Sequence, residues 1–511
     1  MNILTRILTA ILLSVPCSGW AGEGWPGSAL SAEDAMTVRA DQFVSADQHR
    51  DWQVDLDQRG LRAAGSTAHE AYIDVLRERL IKAGIPNVYE EPVTLKKWEV
   101  GKWSLEVIGN ADTDTDTDVI TLPTASFVPY SGGTPQDGVR GRLELVQSDN
   151  DFNGDKLKGN VALIPLSKPK TTLEVFAEAA FSLYGFGQYP ASARPYERTY
   201  FSTSQMAKKL DALKQAGAIG AVFILDEPAS NALGLYAPYD GESRGVPALY
   251  VDKNVGHTLL TLAERGFDVR LMVDAKIRSV NSRNLIGVIP GASDELIVLN
   301  SHTDGPNGIE DNGPNVIVAM AQYLSRLPRE ALPRSVMVLL TTGHFAGAQG
   351  GQAFVDAHLD DETLGKIAAL LCLEHLGAEE WVQGPGGRWM PTGKAEPYVF
   401  FMPNIPALIA AAKDAVNRAD SAPTIIRGPT RPQGGGYFHD HVWPGEGQVF
   451  WGRVRIPTAN YIAGPNYLFN WGISTADKVD YQRLQRETMA FTEMTLRLAR
   501  TPMGQLREFA E

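Results

Sequence analysis

The second half of the chain predicts an α/β fold with a mainly parallel sheet. From residue 278 onward, apolar runs typical of strands ("NLIGVIPG", "ELIVLN", "RSVMVLLTT", "KIAALLCLEHLG", "TANYIAG") alternate with helical segments near residues 315–327, 350–358 and 404–418. Strands that alternate with helices in this way are typical of parallel sheets covered by helices on both faces.

Length and composition limit the kind of protein. A chain of 511 residues exceeds one hydrophobic core of ordinary size, so we expect two domains. The 44% of hydrophobic and 21% of charged residues are typical of a soluble globular protein. Because the net charge is −13 and the sequence contains no basic run, we expect neither nucleic acid nor an anionic membrane as a partner.

Residues 1–21 are expected to form a cleavable secretory signal. Arg6 supplies the positive end, Ile7–Val15 form an apolar stretch too short to span a membrane, and a small-x-small cleavage site ends at Ala21. Cys17 raises the alternative of a lipoprotein, but a proline precedes it where a small residue is expected. We therefore expect a periplasmic or secreted protein of a Gram-negative bacterium.

The first half of the chain shows two different sequence patterns. Residues 28–117 contain a helical pattern over Ala68–Ala83 and strand-like runs at Val88–Leu95 and Trp103–Ile108. Residues 118–277 change to short β runs with one helix, in "GNVALIPL", "MAKKLDALKQAGAIGAVFIL" and "GVPALYVDK". This change of pattern predicts that residues 118–277 are a separate unit between two parts of one domain.

Polar residues follow the strand-like run "ELIVLN". His302 and Asp304 come directly after it, and a Gly-, Pro- and Asn-containing loop leads to the triplet Glu310-Asp311-Asn312 before the next helix. Loops at the carboxyl ends of parallel strands are where α/β sheets build their sites. Histidine and carboxylate side chains are metal ligands, so the sequence predicts a metal site here.

These motifs resemble the co-catalytic zinc aminopeptidases, the family that includes vacuolar aminopeptidase Y, glutamate carboxypeptidase II and the glutaminyl cyclases. The resemblance rests on "RAAGSTAHEAYIDVLRERLIKAGI", "SRNLIGVIPG", "SHTDGPNGIEDN" and the tail "RIPTANYIAG…STADKVD". It implies a zinc-exopeptidase-like, phosphorylase/hydrolase-like catalytic domain made of residues 28–117 and 278–511. Residues 118–277, through "AGAIGAVFI" and "GVPALYV", resemble the α+β protease-associated domain, a non-catalytic insert.

The resemblance also implies roles for individual residues. His302 matches a metal ligand, and Asp304 matches the carboxylate that orients it. Asp311 matches the carboxylate that bridges two metals, and Glu374 stands where the family has a ligand Asp. Two metals are useful in this family because they polarise the amide carbonyl and acidify the attacking water.

Other positions depart from the family pattern. The Glu-Glu pair is replaced, with His344 at the position of the general base and Phe345 at that of a ligand, and Asn470 stands where the last ligand His is expected. The retained residues His302, Asp311 and Glu374 all belong to one metal. Three protein ligands and an open position suffice for a catalytic zinc, so we expect one Zn²⁺ ion.

His344 has three interpretations: a general base, an extra metal ligand, or a polar residue without a catalytic role. The segment Tyr437–Trp443 stands where the family often has Ser-Asp-His beside the pocket, which makes His439, Asp440 and His441 additional candidates. A second metal is expected only if His344, His439 or His441 is a ligand.

We therefore expect a secreted or periplasmic metal-dependent hydrolase of peptide or other amide bonds, of the aminopeptidase type. A peptide or small amide is the expected substrate, His344 and Asp304 are the expected catalytic residues, and no membrane span is expected. The alternative is a catalytically silent homologue that binds peptide or glycan. The loss of the Glu-Glu pair favours the alternative, whereas retention of a full ligand set favours an enzyme.

Overall fold

The computed structural model describes residues 27–110, 119–177, 180–186, 194–429 and 443–509. Its helices are α1 (Ala46–Gln58), α2 (Thr67–Lys82), α3 (Glu174–Ala177), α4 (Met206–Gln215), α5 (Ala229–Ala232), α6 (Lys253–Glu264), α7 (Gly313–Leu324), α8 (Gln349–Ala357), α9 (Thr363–Lys366), α10 (Pro406–Ala419), α11 (Gln448–Val454), α12 (Tyr481–Arg500) and α13 (Met503–Leu506). Its strands are β1 (Asn87–Asn110), β2 (Ile120–Leu122), β3 (Ser126–Phe127), β4 (Val139–Leu145), β5 (Val161–Leu166), β6 (Ala180–Tyr184), β7 (Gly220–Leu225), β8 (Ala248–Val251), β9 (Phe267–Ile289), β10 (Ser293–His302), β11 (Arg334–Thr341), β12 (Ile367–Leu373), β13 (Glu379–Gln383), β14 (Trp389–Ala395), β15 (Tyr398–Phe401), β16 (Thr424–Arg427) and β17 (Thr458–Ala463).

One large sheet runs through the molecule in the order β3-β8-β7-β5-β4-β9-β11-β10-β12-β17-β15-β16-β6. Its centre is parallel, because β10 pairs in parallel with both β11 and β12, and β12 pairs in parallel with β17. The predicted α/β fold with a mainly parallel sheet is confirmed.

Helices cover both faces of this central sheet. On one face, Val298, Leu339 and Leu370 pack against Phe354 of α8 and Phe450 of α11. On the other face α7 lies against β10, and every residue of α7 is buried. The sequence explains this, since "GPNVIVAMAQYL" has apolar residues all round the helix and a proline in the first turn, where no amide hydrogen bond is lost.

A long antiparallel hairpin of β1 and β9 leads from this central sheet into the middle of the chain. The strands pair from Asn87 with Val288 to Asn110 with Phe267. The two short strands predicted within residues 88–108 are therefore one strand, with a register shift between Val100 and Trp103 at the polar interruption. Such a shift bends a strand without ending its ladder.

The predicted insert, residues 118–277, contributes a parallel group of strands, β5, β7 and β8. This group joins the central sheet through β4, which pairs with β9. The predicted boundary between residues 277 and 278 falls inside β9. At the far edge, β6 of the same predicted unit pairs antiparallel with β16. The protease-associated assignment itself stays a prediction.

Some sequence predictions fall elsewhere. The signal at residues 1–21 and the candidates His439, Asp440 and His441 lie outside the described residues. Within the ranges that are described, no helix has the length and apolar character needed to cross a membrane.

Candidate metal centre

Four buried side chains meet at the carboxyl edge of the central sheet. His302 ends β10, Glu310 lies in the loop after it, and Glu374 and His375 directly follow β12. Because β10 and β12 are parallel neighbours, both end at the same edge. None of the four residues is more than 2% exposed.

The free atoms of these side chains face one another. His302 Nε2 lies 3.5 Å from Glu374 Oε2 and 3.8 Å from Glu310 Oε2, and His375 Nε2 lies 3.5 Å from Glu310 Oε1. Among the described residues, His302 Nε2, Glu310 Oε2, Glu374 Oε2 and His375 Nε2 have no hydrogen-bond partner. A buried polar atom left in that state costs about 1–3 kcal/mol. Ligands of a tetrahedral zinc are about 3.3–3.6 Å apart. Among the described residues the donor atoms of His302, Glu310 and His375 lie within 4.8 Å of one another, so this triad fits a divalent cation. Glu374 approaches it through His302.

Backbone carbonyls orient both imidazole rings. His302 Nδ1 donates to the Asp304 carbonyl oxygen at 2.8 Å, and His375 Nδ1 donates to the Ala463 carbonyl oxygen at 2.5 Å. A carbonyl only accepts, so in the neutral ring the lone pair is on Nε2, the atom that faces the cluster. His375 also has a φ of 61°, a left-handed conformation that is uncommon for a residue other than glycine and is found more often at functional sites.

Glu374 is held through one oxygen and free at the other. Its Oε1 accepts from the Glu446 amide at 3.0 Å and from Asn460 Nδ2 at 2.8 Å, which leaves Oε2 for the cluster. The backbone at Gly445 passes close by, and a Cβ there would lie 2.5 Å from Glu374 Oε1. With a φ of 105° as well, position 445 accepts only glycine without strain.

The charged groups of the cluster favour a bound cation. Burial lowers the pKa of His302, yet the carboxylates of Glu310 and Glu374 outweigh it and raise this pKa well above its usual value. Burial likewise raises the pKa of Glu374, but the facing His302 ring, when it is protonated, holds this pKa far below its usual range. The pair thus favours a positive charge between the carboxylates, which a divalent cation provides in place of a proton.

Asp311 differs from the prediction. Both of its oxygens accept from the Arg62 guanidinium, from Nε and from Nη2 at 2.6 Å each, and both side chains are fully buried. Among the described residues, the ligand-type groups within 4.8 Å of one another are His302 with His344 and Glu374, and His302 with Glu310 and His375. The carboxylate of Glu310 therefore lies in the cluster, whereas the carboxylate of the next residue, Asp311, is paired with Arg62.

Asp304 also acts differently from the expected orienting carboxylate. Its carboxylate accepts from the backbone amides of His344, at 3.0 Å, and Phe345, at 2.8 Å. Only its carbonyl oxygen contacts the His302 ring. Asp304 therefore fixes the loop that carries His344 relative to the end of β10.

His344 lies beside the cluster. Its ring stacks on that of His302 with centroids 4.2 Å apart, and its Nδ1 is 2.6 Å from Glu446 Oε2. The next residue, Phe345, is buried, and its ring centroid lies 4.8 Å from that of Tyr239.

Asn470 lies apart from the cluster. Its Nδ2 donates to the carbonyl oxygens of Asn231 and Leu233, which are in the predicted insert. Asn470 thus links the C-terminal part of the chain to the predicted insert.

A cavity adjoins the cluster. Glu310, His344, Glu374 and His375 line one end of it. Most of the remaining wall is aromatic or aliphatic, and its aromatic rings are those of Phe176, Tyr196, Tyr200, Phe201, Tyr239, Phe401 and Phe469. Four of these rings come from residues 176–201, far from any motif in the sequence. A cavity of this kind accepts an apolar side chain and brings it next to the polar cluster.

The sequence analysis missed Glu310, His375 and Glu446. The first two directly adjoin predicted ligands, in "IEDN" and "LEH", so their residue types were the available signal. Glu446 gave no signal, because its "PGEG" context is that of an ordinary turn.

Comparison with known proteins shows what the chain is similar to. Residues 284–383 match the model of Peptidase family M28. This range contains all four residues of the cluster but not the aromatic wall of the cavity. The fold matches a Peptidase M28 precursor from Shewanella amazonensis (TM-score 0.61, 17% identity, 92% of this chain and 95% of that one). It also matches the zinc aminopeptidase BSAP from Bacillus subtilis (TM-score 0.59, 15% identity, 88% and 94%). The predicted resemblance to the zinc aminopeptidases is confirmed.

Two curated relatives are similar in sequence. A "probable leucine aminopeptidase 2" from Aspergillus oryzae is 25% identical over 350 residues, which are 65% of this chain and 59% of the relative. A "Probable lipoprotein aminopeptidase LpqL" from Mycobacterium tuberculosis is 24% identical over 390 residues, 74% of this chain and 68% of the relative. The chain thus spans about three fifths of the first relative's length and about two thirds of the second's.

Proposed function

We propose that this protein is a metal-dependent hydrolase of the aminopeptidase type that acts on an N-terminal residue with an apolar or aromatic side chain. The observation that carries the proposal is the set of four unpartnered, buried donor atoms, three of which belong to residues that line an apolar cavity. The match to Peptidase family M28 supports the same chemistry. Export also stays part of the proposal, on the strength of the signal-like residues 1–21.

We propose one Zn²⁺ ion, held by the triad of His302, Glu310 and His375, with Glu374, whose Oε2 lies 3.5 Å from His302 Nε2, moving in as the fourth ligand. In this set Glu310 takes the place that the sequence analysis gave to Asp311, because Arg62 already binds both Asp311 oxygens. When bound, a divalent cation polarises a carbonyl oxygen and makes water a better nucleophile.

The chain's own residues would do the rest. The aromatic wall holds the substrate side chain and excludes water, so the scissile carbonyl stays next to the cluster. His344 is the proposed general base, because its ring lines the cavity and Nδ1 is already bound to Glu446, which leaves Nε2 for a proton. Asp304 would fix the His344 loop through two backbone hydrogen bonds.

The proposal is tested with p-nitroanilides of leucine, phenylalanine, glutamate and lysine, each with a free and with an acetylated amine. We expect release of p-nitroaniline from the free leucyl and phenylalanyl compounds, loss of activity with 1,10-phenanthroline, and recovery with zinc. Preference for the acetylated series would support a blocked-amide hydrolase instead. A zinc-loaded protein that hydrolyses none of them and binds the peptides unchanged would support the silent homologue.

The ligand set makes a separate prediction. His375→Gln is expected to lower zinc affinity by about 10–100-fold or more, because it removes a donor whose ring is already oriented. Competition with a chromophoric chelator measures this affinity without any substrate. His257→Gln, at an exposed histidine of α6, is the matched control and should bind zinc as the wild type does. Unchanged affinity in His375→Gln would remove His375 from the ligand set.

A further inference from the structure

Glu446 is a buried carboxylate with no role in the function proposed so far. Its side chain is fully buried, and its two oxygens have different partners. Oε2 lies 2.6 Å from His344 Nδ1, and Oε1 accepts from the Thr341 hydroxyl at 2.7 Å. Its backbone amide donates to Glu374 Oε1, so one residue contacts both the proposed base and a proposed ligand.

The backbone around Glu446 is built to hold this carboxylate in place. A Cβ at Gly351 would lie 3.0 Å from Glu446 Oε1, and a Cβ at Gly447 would lie 2.8 Å from Asn460 Oδ1. The Gly447 amide donates to the same Asn460 oxygen at 3.1 Å. These close approaches leave Glu446 little freedom to turn away from His344.

We infer that Glu446 is a positioning residue that fixes the proton of His344 on Nδ1 and presents Nε2 as the proton acceptor. A carboxylate only accepts, so the bond to Nδ1 requires the hydrogen there. The buried negative charge also stabilises the imidazolium that forms when Nε2 takes up a proton, as the carboxylate does in other histidine–carboxylate pairs.

His344 is in a position to move a proton from the attacking water to the leaving amine. It lines the cavity next to the cluster. Together with Ala237 and Tyr239 it also borders a second, adjoining cleft, which continues to Gln448 and Arg453. In amide hydrolysis, Nε2 would take one proton from water as the carbon–oxygen bond forms. It would return that proton to the amine as the carbon–nitrogen bond breaks.

This inference rests on the proposed function, and its test separates the two. Glu446→Gln keeps the shape and removes the charge. We expect kcat to fall by about 10²–10⁴-fold, with KM within about threefold and with wild-type zinc content by elemental analysis. In the His344→Gln background the same change should cost almost nothing, because residues that act as a unit are not additive. Equal losses in both backgrounds would overturn the inference.

A second readout needs no activity. In protein labelled with ¹⁵N-histidine, two-bond nitrogen–proton correlations distinguish the two neutral tautomers, and His344→Gln assigns the ring. We expect His344 to carry its proton on Nδ1 in the wild type, and to lose that strongly shifted proton signal in Glu446→Gln. A wild-type ring protonated on Nε2 alone would overturn the inference, even if Glu446→Gln failed to fold. A Nδ1-protonated ring in a protein without hydrolase activity would contradict the proposed function and leave the pairing intact.

Discussion

His302→Ala is expected to abolish zinc binding and to lower kcat/KM by at least about a thousandfold, since a bound cation supplies several kcal/mol to amide hydrolysis. His302 is central because its Nε2 lies within 4 Å of both Glu310 and Glu374. Removing it leaves both buried carboxylates without the imidazole that lies near each of them. Elemental analysis should give one equivalent of zinc per chain in the wild type and close to none in the variant.

The matched control for this result is His257→Ala, an exposed histidine far along the chain from the cluster. It should keep both the metal and the activity. One retained equivalent in His302→Ala would mean that the proposed centre is wrong. Two equivalents in the wild type would point to a second set of ligands, for which His344, His439 and His441 are the candidates from the sequence.

Arg62→Met should be the most destabilising substitution among those considered, by about 3–5 kcal/mol, because it leaves the carboxylate of Asp311 buried without a counter-charge. Arg62 and Asp311 are both fully buried and share two hydrogen bonds of 2.6 Å. Arg62 Nη1 also donates to the Leu56 carbonyl at 3.1 Å. The shift in the urea midpoint of zinc-loaded protein, multiplied by the slope of the transition, measures the effect.

Two variants make this measurement interpretable. Arg50→Met breaks an exposed pair with Asp47 and should cost less than about 1 kcal/mol. Arg62→Met combined with Asp311→Leu removes both buried charges and should recover much of the loss. If Arg62→Met were no worse than Arg50→Met, Asp311 would have found another positive partner. A gain of one zinc equivalent in Arg62→Met would identify that partner as a metal.

The sequence predicted the central sheet, and it predicted a site at the edge of that sheet where the candidate cluster lies, for definite physical reasons. Strand and helix periodicities are long and regular from residue 278 onward, and ligand-type residues stand at the ends of β10 and β12. The sequence alone could not show whether Glu310 or Asp311 faces the cluster. Adjacent residues in a loop point in different directions, and here the direction is decided by Arg62, which lies 249 positions earlier in the chain.

The same limit applies to the groups around the site. Glu446 reaches His344 across 102 positions, and neither local propensity nor motif spacing carries such information. The aromatic wall from residues 176–201 is held at the cavity by distant segments, through the pairing of β6 with β16 and through hydrogen bonds from Tyr196 and Tyr200 to the Gly464 carbonyl. Long-range pairings of this kind depend on the finished packing of the whole chain.

The pairing of β6 with β16 also affects how the chain can be made and divided. During synthesis β6 leaves the ribosome roughly 240 residues ahead of its partner, an interval on the order of ten to fifty seconds at usual elongation rates. Until β16 arrives, that edge has open backbone groups and exposed apolar side chains, so the nascent chain needs protection from aggregation. Excising the middle third of the gene would leave β16 unpaired on one side, and the remainder would not behave as a free-standing module.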